Sequence, residues 1–385
     1  MALMKEALQQ SVYIQAFSRL EPELRASLQP GDYAQLQKNQ MRLIASNLRN
    51  AHLHGEVHEL LTGQNIPYTI LKGLASAAYY PEPFLRTMGD VDFLVPYSQR
   101  QTVDCLLREK GFEKAPNMEK HAFHWAYHRG EDVVELHWRI PGLPESGAGQ
   151  ISALFSDILP CAEETELSGY RIRVPSWRHH GIILLLHTAE HLTAGGAGIR
   201  HLWDWLAFVY SRTEETFRAE LENVLRQTGL WRFACALTKI GVVYMDCEPR
   251  AFCEEIDRAL AERLLEDFFD GGSFGNKNNV RQGQTKIVRD NASRKSGERP
   301  MLLAALGNLD KKTRSQYPVC ERWALLRPFF WLWTAFQFLL RVAQGKRVNI
   351  FQKDALRSAR DRQTLYASLG LFEPDLNGNA GRRRR

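Results

Sequence analysis

The chain has 385 residues, 44% hydrophobic and 24% charged, which excludes a disordered or low-complexity polypeptide and leaves room for two or three domains. Four of the six excess positive charges are the arginines at 382–385, so the body is nearly neutral and carries no strong nucleic-acid signal. Six cysteines with no Cys-x-x-Cys pair exclude a disulfide framework and a zinc ribbon, and point to a reducing, cytoplasmic setting.

Residues 1–62 are predicted as an N-terminal helical segment. Leu43, Leu48, Ala51, Val57, Leu60 and Leu61 recur at roughly helical spacing, and Gly63 is the stop. Residues 63–175 read as an α/β domain. Tyr68-Thr69-Ile70-Leu71 is short, apolar and partly β-branched, as a buried strand is; Lys72 and Gly73 end it. One or two helical turns follow from Leu74 to Tyr80. Val91 to Val95 predicts a second strand and 98–110 a helix ended by Gly111. Strands over 121–128 and 133–139 flank Arg129-Gly130-Glu131-Asp132 as a hairpin, and 170–174 adds one more strand. Residues 176–372 read as a helical domain, with Ser176 as N-cap of its first helix and a basic loop over 271–300. The end, 373–385, is predicted as a disordered basic tail.

The chemistry concentrates in Arg86-Thr87-Met88-Gly89-Asp90-Val91-Asp92-Phe93-Leu94-Val95. Strand side chains alternate, so Asp90 and Asp92 are expected on one face, with Val91 and Phe93 turned into the core. Hard carboxylate oxygens favour Mg²⁺ or Mn²⁺. Glu135, an acid within apolar Val133-Val134-Glu135-Leu136, needs a partner that a metal supplies. The turn at Lys72-Gly73 precedes a helix start, where backbone N–H groups approach phosphate. Neutralising any of the three acids is expected to leave the melting temperature of the metal-free protein the same or higher, because they repel one another.

Leu71-Lys72-Gly73, Arg86, the run from Asp90 to Val95 and Glu135-Leu136-His137 together resemble the uncharacterised nucleotidyltransferase family proteins of the DNA polymerase β-type nucleotidyltransferase superfamily. That group is mostly bacterial and often encoded among biosynthetic genes. Leu184-Leu185-Leu186-His187, His191, Arg200, Asp204 and Ser273-Phe274-Gly275 are similar too, so the resemblance covers roughly residues 40–275. It implies an α+β architecture: a polymerase β-like nucleotidyltransferase domain, with a mixed sheet and helices, plus a helical domain. It also implies a transferase that uses Mg²⁺ (or Mn²⁺) to move NMP from an NTP to a hydroxyl or similar nucleophile on a small molecule or protein. Asp90, Asp92 and Glu135 would be the catalytic, metal-binding set. Lys72, Gly73 and Arg86 would bind nucleotide, although Lys72 or Arg86 could equally pair with the aspartates. Two departures stand out. Leu74 replaces the second small residue of the glycine turn, and sixteen residues separate Gly73 from Asp90.

Rival readings remain in the sequence. A catalytically silent nucleotidyltransferase-fold binding module is favoured by Leu74 and opposed by the intact carboxylates. His187-Thr188-Ala189-Glu190-His191 fits His-x-x-Glu-His, a zinc-hydrolase motif in which His187 and His191 share a helix face. No third ligand is evident nearby, so tightly bound zinc is not expected. His121, His124 and His128 fall on two faces of a strand, which breaks a three-ligand reading. The aromatic run over 328–340 is too short to span a bilayer. It is expected as a core helix; its rival is an interfacial helix giving peripheral membrane contact.

Overall fold

The computed structural model describes residues 1–118, 121, 123–144, 148–275, 277, 327–343 and 353–373, with scattered positions between 309 and 326. Most of the predicted basic loop and all but the first residue of the predicted tail lie outside the described residues.

Helices α1 (Ala2–Gln9), α2 (Tyr13–Ser18) and α3 (Pro22–Ala26) lead into α4, Pro30–Thr62, a helix of 33 residues. Pro22 and Pro30 open α3 and α4, where a missing N–H leaves no bond unmade. The strands are β1 (Thr69–Ile70), β2 (Val91–Leu94), β3 (Glu113–Lys114), β4 (His124–Arg129) and β5 (Asp132–His137). They form one sheet in the order β1-β2-β5-β4-β3. β2 and β5 are parallel; every other pairing is antiparallel. Short α5 (Leu74–Ala77) follows β1, and α6 (Arg100–Glu109) follows β2.

Alternation along β2 gives the sheet two different faces. Val91 and Phe93 enter a core with Leu53, Val57 and Leu61 of α4 and Val103 and Leu107 of α6. Leu94 instead joins the core of the helical half. Asp92, two residues before Leu94 on the strand, therefore faces the helical half rather than α4.

The expected strand at 170–174 does not join this sheet. It is β7 (Tyr170–Val174), paired antiparallel with β6 (Glu163–Leu167), which the polar sequence of β6 had hidden. Arg173 N donates to Tyr68 Oη at 3.1 Å, which fastens this ribbon beside β1. Between β5 and β6 lies α7 (Ala148–Ala153). The helical half then runs through α8 (Trp177–Ala194), α9 (Ile199–Val209), α10 (Glu214–Phe217), α11 (Asn223–Thr228), α12 (Trp231–Tyr244) and α13 (Arg258–Gly271). Ser176 stands at the N-cap of α8, but its hydroxyl bonds His179 Nδ1 at 2.9 Å instead of capping the backbone. The N-terminal helices dock here: Gln10 Oε1 accepts from Ile199 N at 3.0 Å.

The core-helix expectation for the aromatic run fails. In the helix Arg327–Ala343, Phe329 is 64% exposed, Leu332 74%, Trp333 44% and Phe336 50%. Its other face is covered, with the Phe330 ring against Tyr317 at 4.6 Å between centroids and Trp331 Nε1 donating to Asp310 Oδ1 at 3.0 Å, so the apolar content is packed on one face only. No helix among the described residues is long and apolar enough to cross a membrane.

Candidate active site

One face of α4 builds the floor. Asn47, Asn50 and His54 are spaced three and four apart, so they point the same way. Asn47 Nδ2 donates to Phe84 O at 2.6 Å and Arg86 O at 2.9 Å, while its Oδ1 accepts from Met88 N at 2.9 Å. Asn50 Nδ2 donates to Gly89 O at 3.1 Å. His54 Nδ1 donates to Asn50 O at 2.8 Å, which leaves Nε2 to accept from Leu74 N at 3.3 Å. Burial lowers the His54 pKa to about 4, so this neutral tautomer holds at pH 7. Gly73 is required above it. Its φ is +63°, and a Cβ there would lie 2.5 Å from His54 Nε2.

The carboxylates sit on the opposite side of this turn. Asp92 and Glu135 are register partners on the parallel strands β2 and β5. Asp90 is not inside the strand, as expected from sequence; β2 begins at Val91, and Asp90 is the residue before it. Asp92 is 1% exposed and is held from both sides. Lys72 Nζ lies 3.0 Å from its Oδ2, and His137 Nε2 lies 3.1 Å from its Oδ1. His137 Nε2 is also 3.1 Å from Glu135 Oε2. Both neighbours of Nε2 are acceptors, so that nitrogen carries the proton.

Burial pushes the Asp92 carboxyl up, but Lys72 and His137 outweigh it and hold it well below the usual carboxylate range. Burial likewise opposes charge on His137 and Lys72, and the facing carboxylates reverse it, raising both. Asp90 has the opposite fate. The Asp92 charge first, and burial second, push its carboxyl up to about 6. That repulsion is the test of fit for a divalent cation. Asp90 is crowded by a like charge, a metal would relieve it, and Asp92 and Glu135 offer carboxylate oxygens within 4.8 Å of one another, while His137, protonated on Nε2, steadies both.

The helical half closes the site. Arg86 Nε and Nη2 bond the two carboxylate oxygens of Asp204 on α9 at 2.6 and 2.8 Å, and Tyr80 Oη donates to Asp204 Oδ1 at 2.8 Å. Arg86 Nη1 donates to Gly73 O at 3.3 Å. Arg86 therefore does pair with an aspartate, but with Asp204 rather than Asp90 or Asp92. Lys72 Nζ reaches His187 Nε2 of α8 at 3.2 Å as well as Asp92. His191 stands beside His187, and α9 adds His201 to the pair.

Of the residues singled out from sequence, Lys72, Asp92 and Glu135 meet directly or through His137, Asp90 adjoins them, and Gly73 shapes the turn. The sequence reasoning missed His137, His54, Asn47 and Asn50 as parts of the site. His137 had a local signal, since it shares a strand face with Glu135 two residues earlier. The α4 residues had one only as a polar stripe within an otherwise ordinary amphipathic helix.

A mixed sheet thus sets two acidic residues side by side on adjacent parallel strands, next to a glycine turn. The model of the family described as uncharacterised nucleotidyltransferase matches residues 2–245, more than half of the chain, and the chain belongs to that family. Its class is thus that of a nucleotidyltransferase enzyme. No protein of curated function matches. Among solved structures, the chain is similar to the antibiotic-resistance factor ANT(2'')-Ia in solution, at 15% identity and TM-score 0.35, over 45% of this chain and 89% of that one. The crystal structure of ANT(2'')-Ia in complex with adenylyl-2''-tobramycin gives 14%, TM-score 0.34, and 44% and 92% coverage. A nucleotidyltransferase-like protein from Paracoccidioides brasiliensis gives 17%, TM-score 0.30, and 49% and 91%.

Proposed function

We propose that the protein transfers NMP from an NTP to a hydroxyl or similar nucleophile on a small molecule or protein, with Mg²⁺ (or Mn²⁺) held by Asp90, Asp92 and Glu135. The observation that carries this reading is the side-by-side placement of Asp92 and Glu135 in register, with Asp90 raised to about 6 beside them. Bound there, a divalent ion supplies charge neutralisation at the reacting phosphate.

The chain's own residues do the rest. Asp92 is the fixed ligand, because Lys72 and His137 hold both of its oxygens in place. Glu135, with a quarter of its side chain exposed, is the carboxylate an acceptor can reach, and takes the proton of the incoming hydroxyl. Leu74 N–H is already bonded to His54, so phosphate contact from the turn falls to Gly73 N–H. Lys72 is the cation that meets the nucleotide. Arg86, locked to Asp204, is a positioning residue that steadies the Gly73 carbonyl.

The test is incubation with each labelled NTP and Mg²⁺, reading pyrophosphate release and label on added acceptors and on the protein. Asp92→Asn and Glu135→Gln should lose the label. A silent binding module is the second reading, favoured by Leu74 and by the cations already resting on Asp92. It is separated by an Mg²⁺- and nucleotide-dependent rise in Tm without pyrophosphate from any NTP.

A further inference from the structure

Across Lys72 from the carboxylates, the described residues contain a second cluster of metal-ligating side chains. His187 and His191 are one turn apart on α8 and share its face. The glycine-rich turn before α9 packs closely: a Cβ at Gly196 would meet Gly271 Cα at 2.7 Å. That turn brings α9 back beside α8 and sets His201 against the pair. Ring centroids of His187, His191 and His201 lie 4.4, 4.8 and 5.2 Å apart. One ligand nitrogen from each lies within 4.8 Å of the other two.

The ring nitrogens converge, and one of them has no partner. His187 Nε2 and His191 Nε2 face each other at 2.9 Å. His201 Nε2 is buried with no hydrogen-bond partner, although its Nδ1 has Gly198 O at 3.2 Å. Nδ1 lies 3.2 Å from both Gly198 O and Gly198 N: in the tautomer that donates to the carbonyl, Nε2 presents a bare lone pair, and in the one that accepts from the amide, Nε2 is a buried N–H with no acceptor. A ring nitrogen anchored by a backbone carbonyl, its other nitrogen left open, is the usual orientation of a metal-bound histidine.

We propose that His187, His191 and His201 bind one Zn²⁺ ion, in a three-nitrogen site separate from the carboxylate set. Imidazole ligands without thiolate or carboxylate suit zinc and disfavour Mg²⁺. Tetrahedral zinc at about 2.0–2.1 Å from each nitrogen places the nitrogens roughly 3.4 Å apart, a few tenths of an ångström wider than the closest pair here. Burial, then the nearby charge of Lys72, push His187 well below its usual range and His191 to about 3. Burial and His191 do the same to His201. All three are neutral at pH 7, and the proton shared by the two Nε2 atoms has to shift to a ring Nδ1 before both can bind metal. Lys72 is the local competitor, because its ammonium rests 3.2 Å from His187 Nε2. Its alternative partner, Asp92 Oδ2, is 3.0 Å away on the other side, so Lys72 has somewhere to go when the ion enters. Three protein ligands leave a fourth position for water or a substrate oxygen. The pair His187 and His191 was visible in the sequence; the third ligand was not, because it comes from another helix.

The full-length protein, stripped with chelator, is titrated with Co²⁺ and then Zn²⁺, and its metal content is measured after gel filtration. The expected result is one retained equivalent, with the intense visible bands of tetrahedral cobalt bleached by zinc. His187→Gln and His201→Gln should each lose that equivalent, while Glu135→Gln keeps it. Nothing in this readout depends on nucleotidyl transfer. Circular dichroism of the metal-free variants shows whether they fold, and the wild-type cobalt spectrum tests nitrogen ligation even if they do not. Absence of a tetrahedral cobalt spectrum and of retained zinc in the wild type would overturn the proposal. So would zinc retained by folded His201→Gln but lost from Glu135→Gln, which would place the ion at Asp92, Glu135 and His137.

Discussion

Neutralising Asp90 and neutralising Asp92 should change the stability of the metal-free protein in opposite directions. From sequence alone, both changes are expected to leave stability the same or higher by relieving repulsion. The structure separates them. Asp90 rises from an ordinary 3.8 to about 6, which sets a ceiling of about 3 kcal/mol at about 1.4 kcal/mol per pH unit. Asp90 is only partly buried, so about 1.5 kcal/mol is the realistic gain for Asp90→Asn at pH 7.5. Asp92 lies between Lys72 and His137 and is held below its ordinary value. Asp92→Asn strands the buried Lys72 ammonium, and His137 escapes only by shedding its proton. The expected loss is about 3 kcal/mol, the lower end for a broken buried pair. The pH dependence follows from the signs. A raised carboxyl penalises folding once the unfolded-state group ionises, so the penalty from Asp90 grows between about pH 4 and 6 and is complete above. The Asp90→Asn gain should then shrink as pH falls to 4.5. A depressed carboxyl by itself stabilises at all pH above its unfolded value, but losing Asp92 also removes the partner that raises His137, so the Asp92→Asn loss should be larger at pH 5 than at pH 7.5. Urea unfolding in chelator, followed by circular dichroism, measures both. Equal shifts of one sign for the two variants would refute the assignment of Lys72 and His137 to Asp92.

Three further outcomes follow from the same contacts. Gly73→Ala should lose NMP transfer and unfold more readily by about 1–3 kcal/mol, since the residue is at positive φ and its Cβ meets His54; adding His54→Ala should recover part of the stability, and an additive double variant would rule out the clash. Asp204→Asn should cost about 3–5 kcal/mol by leaving Arg86 buried without its carboxylate, and calorimetric unfolding beside that of wild type checks it. Phe329→Asp should shift stability by less than about 0.5 kcal/mol, because the side chain is 64% exposed; a large loss would restore the core-helix expectation, and co-sedimentation with anionic liposomes tests the interfacial one.

The strands that carry Asp92 and Glu135 were legible because burial forces a period of two around each acid. Their adjacency was not, since parallel pairing of β2 with β5 is set by the crossover and not by either strand. Arg86 shows the same limit. It was visible as a functional cation, but its partner Asp204 is 118 residues away on α9. The mutual repulsion of the acids could be read from their spacing, yet Lys72 and His137, which reverse it at Asp92, become neighbours only through the fold. For β6, exposure on both faces removed the apolar alternation that would have betrayed it. The aromatic helix was misread for a different reason: hydrophobic content states what a segment could bury, not how many of its faces are covered.

The long spacing between Gly73 and Asp90 loses its weight against the contacts that hold it. A sixteen-residue connection would ordinarily leave the acid loosely placed relative to the phosphate turn. Here its last stretch is fastened residue by residue: Phe84 O, Arg86 O and Met88 N to Asn47, Gly89 O to Asn50, and Thr87 O to Arg200 Nη1 at 3.2 Å. Its first residue is fastened from both sides, by His54 at the Leu74 amide and by Arg86 at the Gly73 carbonyl. Two helices supply these clamps, α4 directly and α9 through Asp204 and Arg200. The entropy of a longer loop grows only slowly with its length, so a few buried hydrogen bonds suffice to offset it. Spacing along the chain is therefore a poor measure of this site. What matters is that both ends of the connection rest on the same helix face, through Asn47, Asn50 and His54.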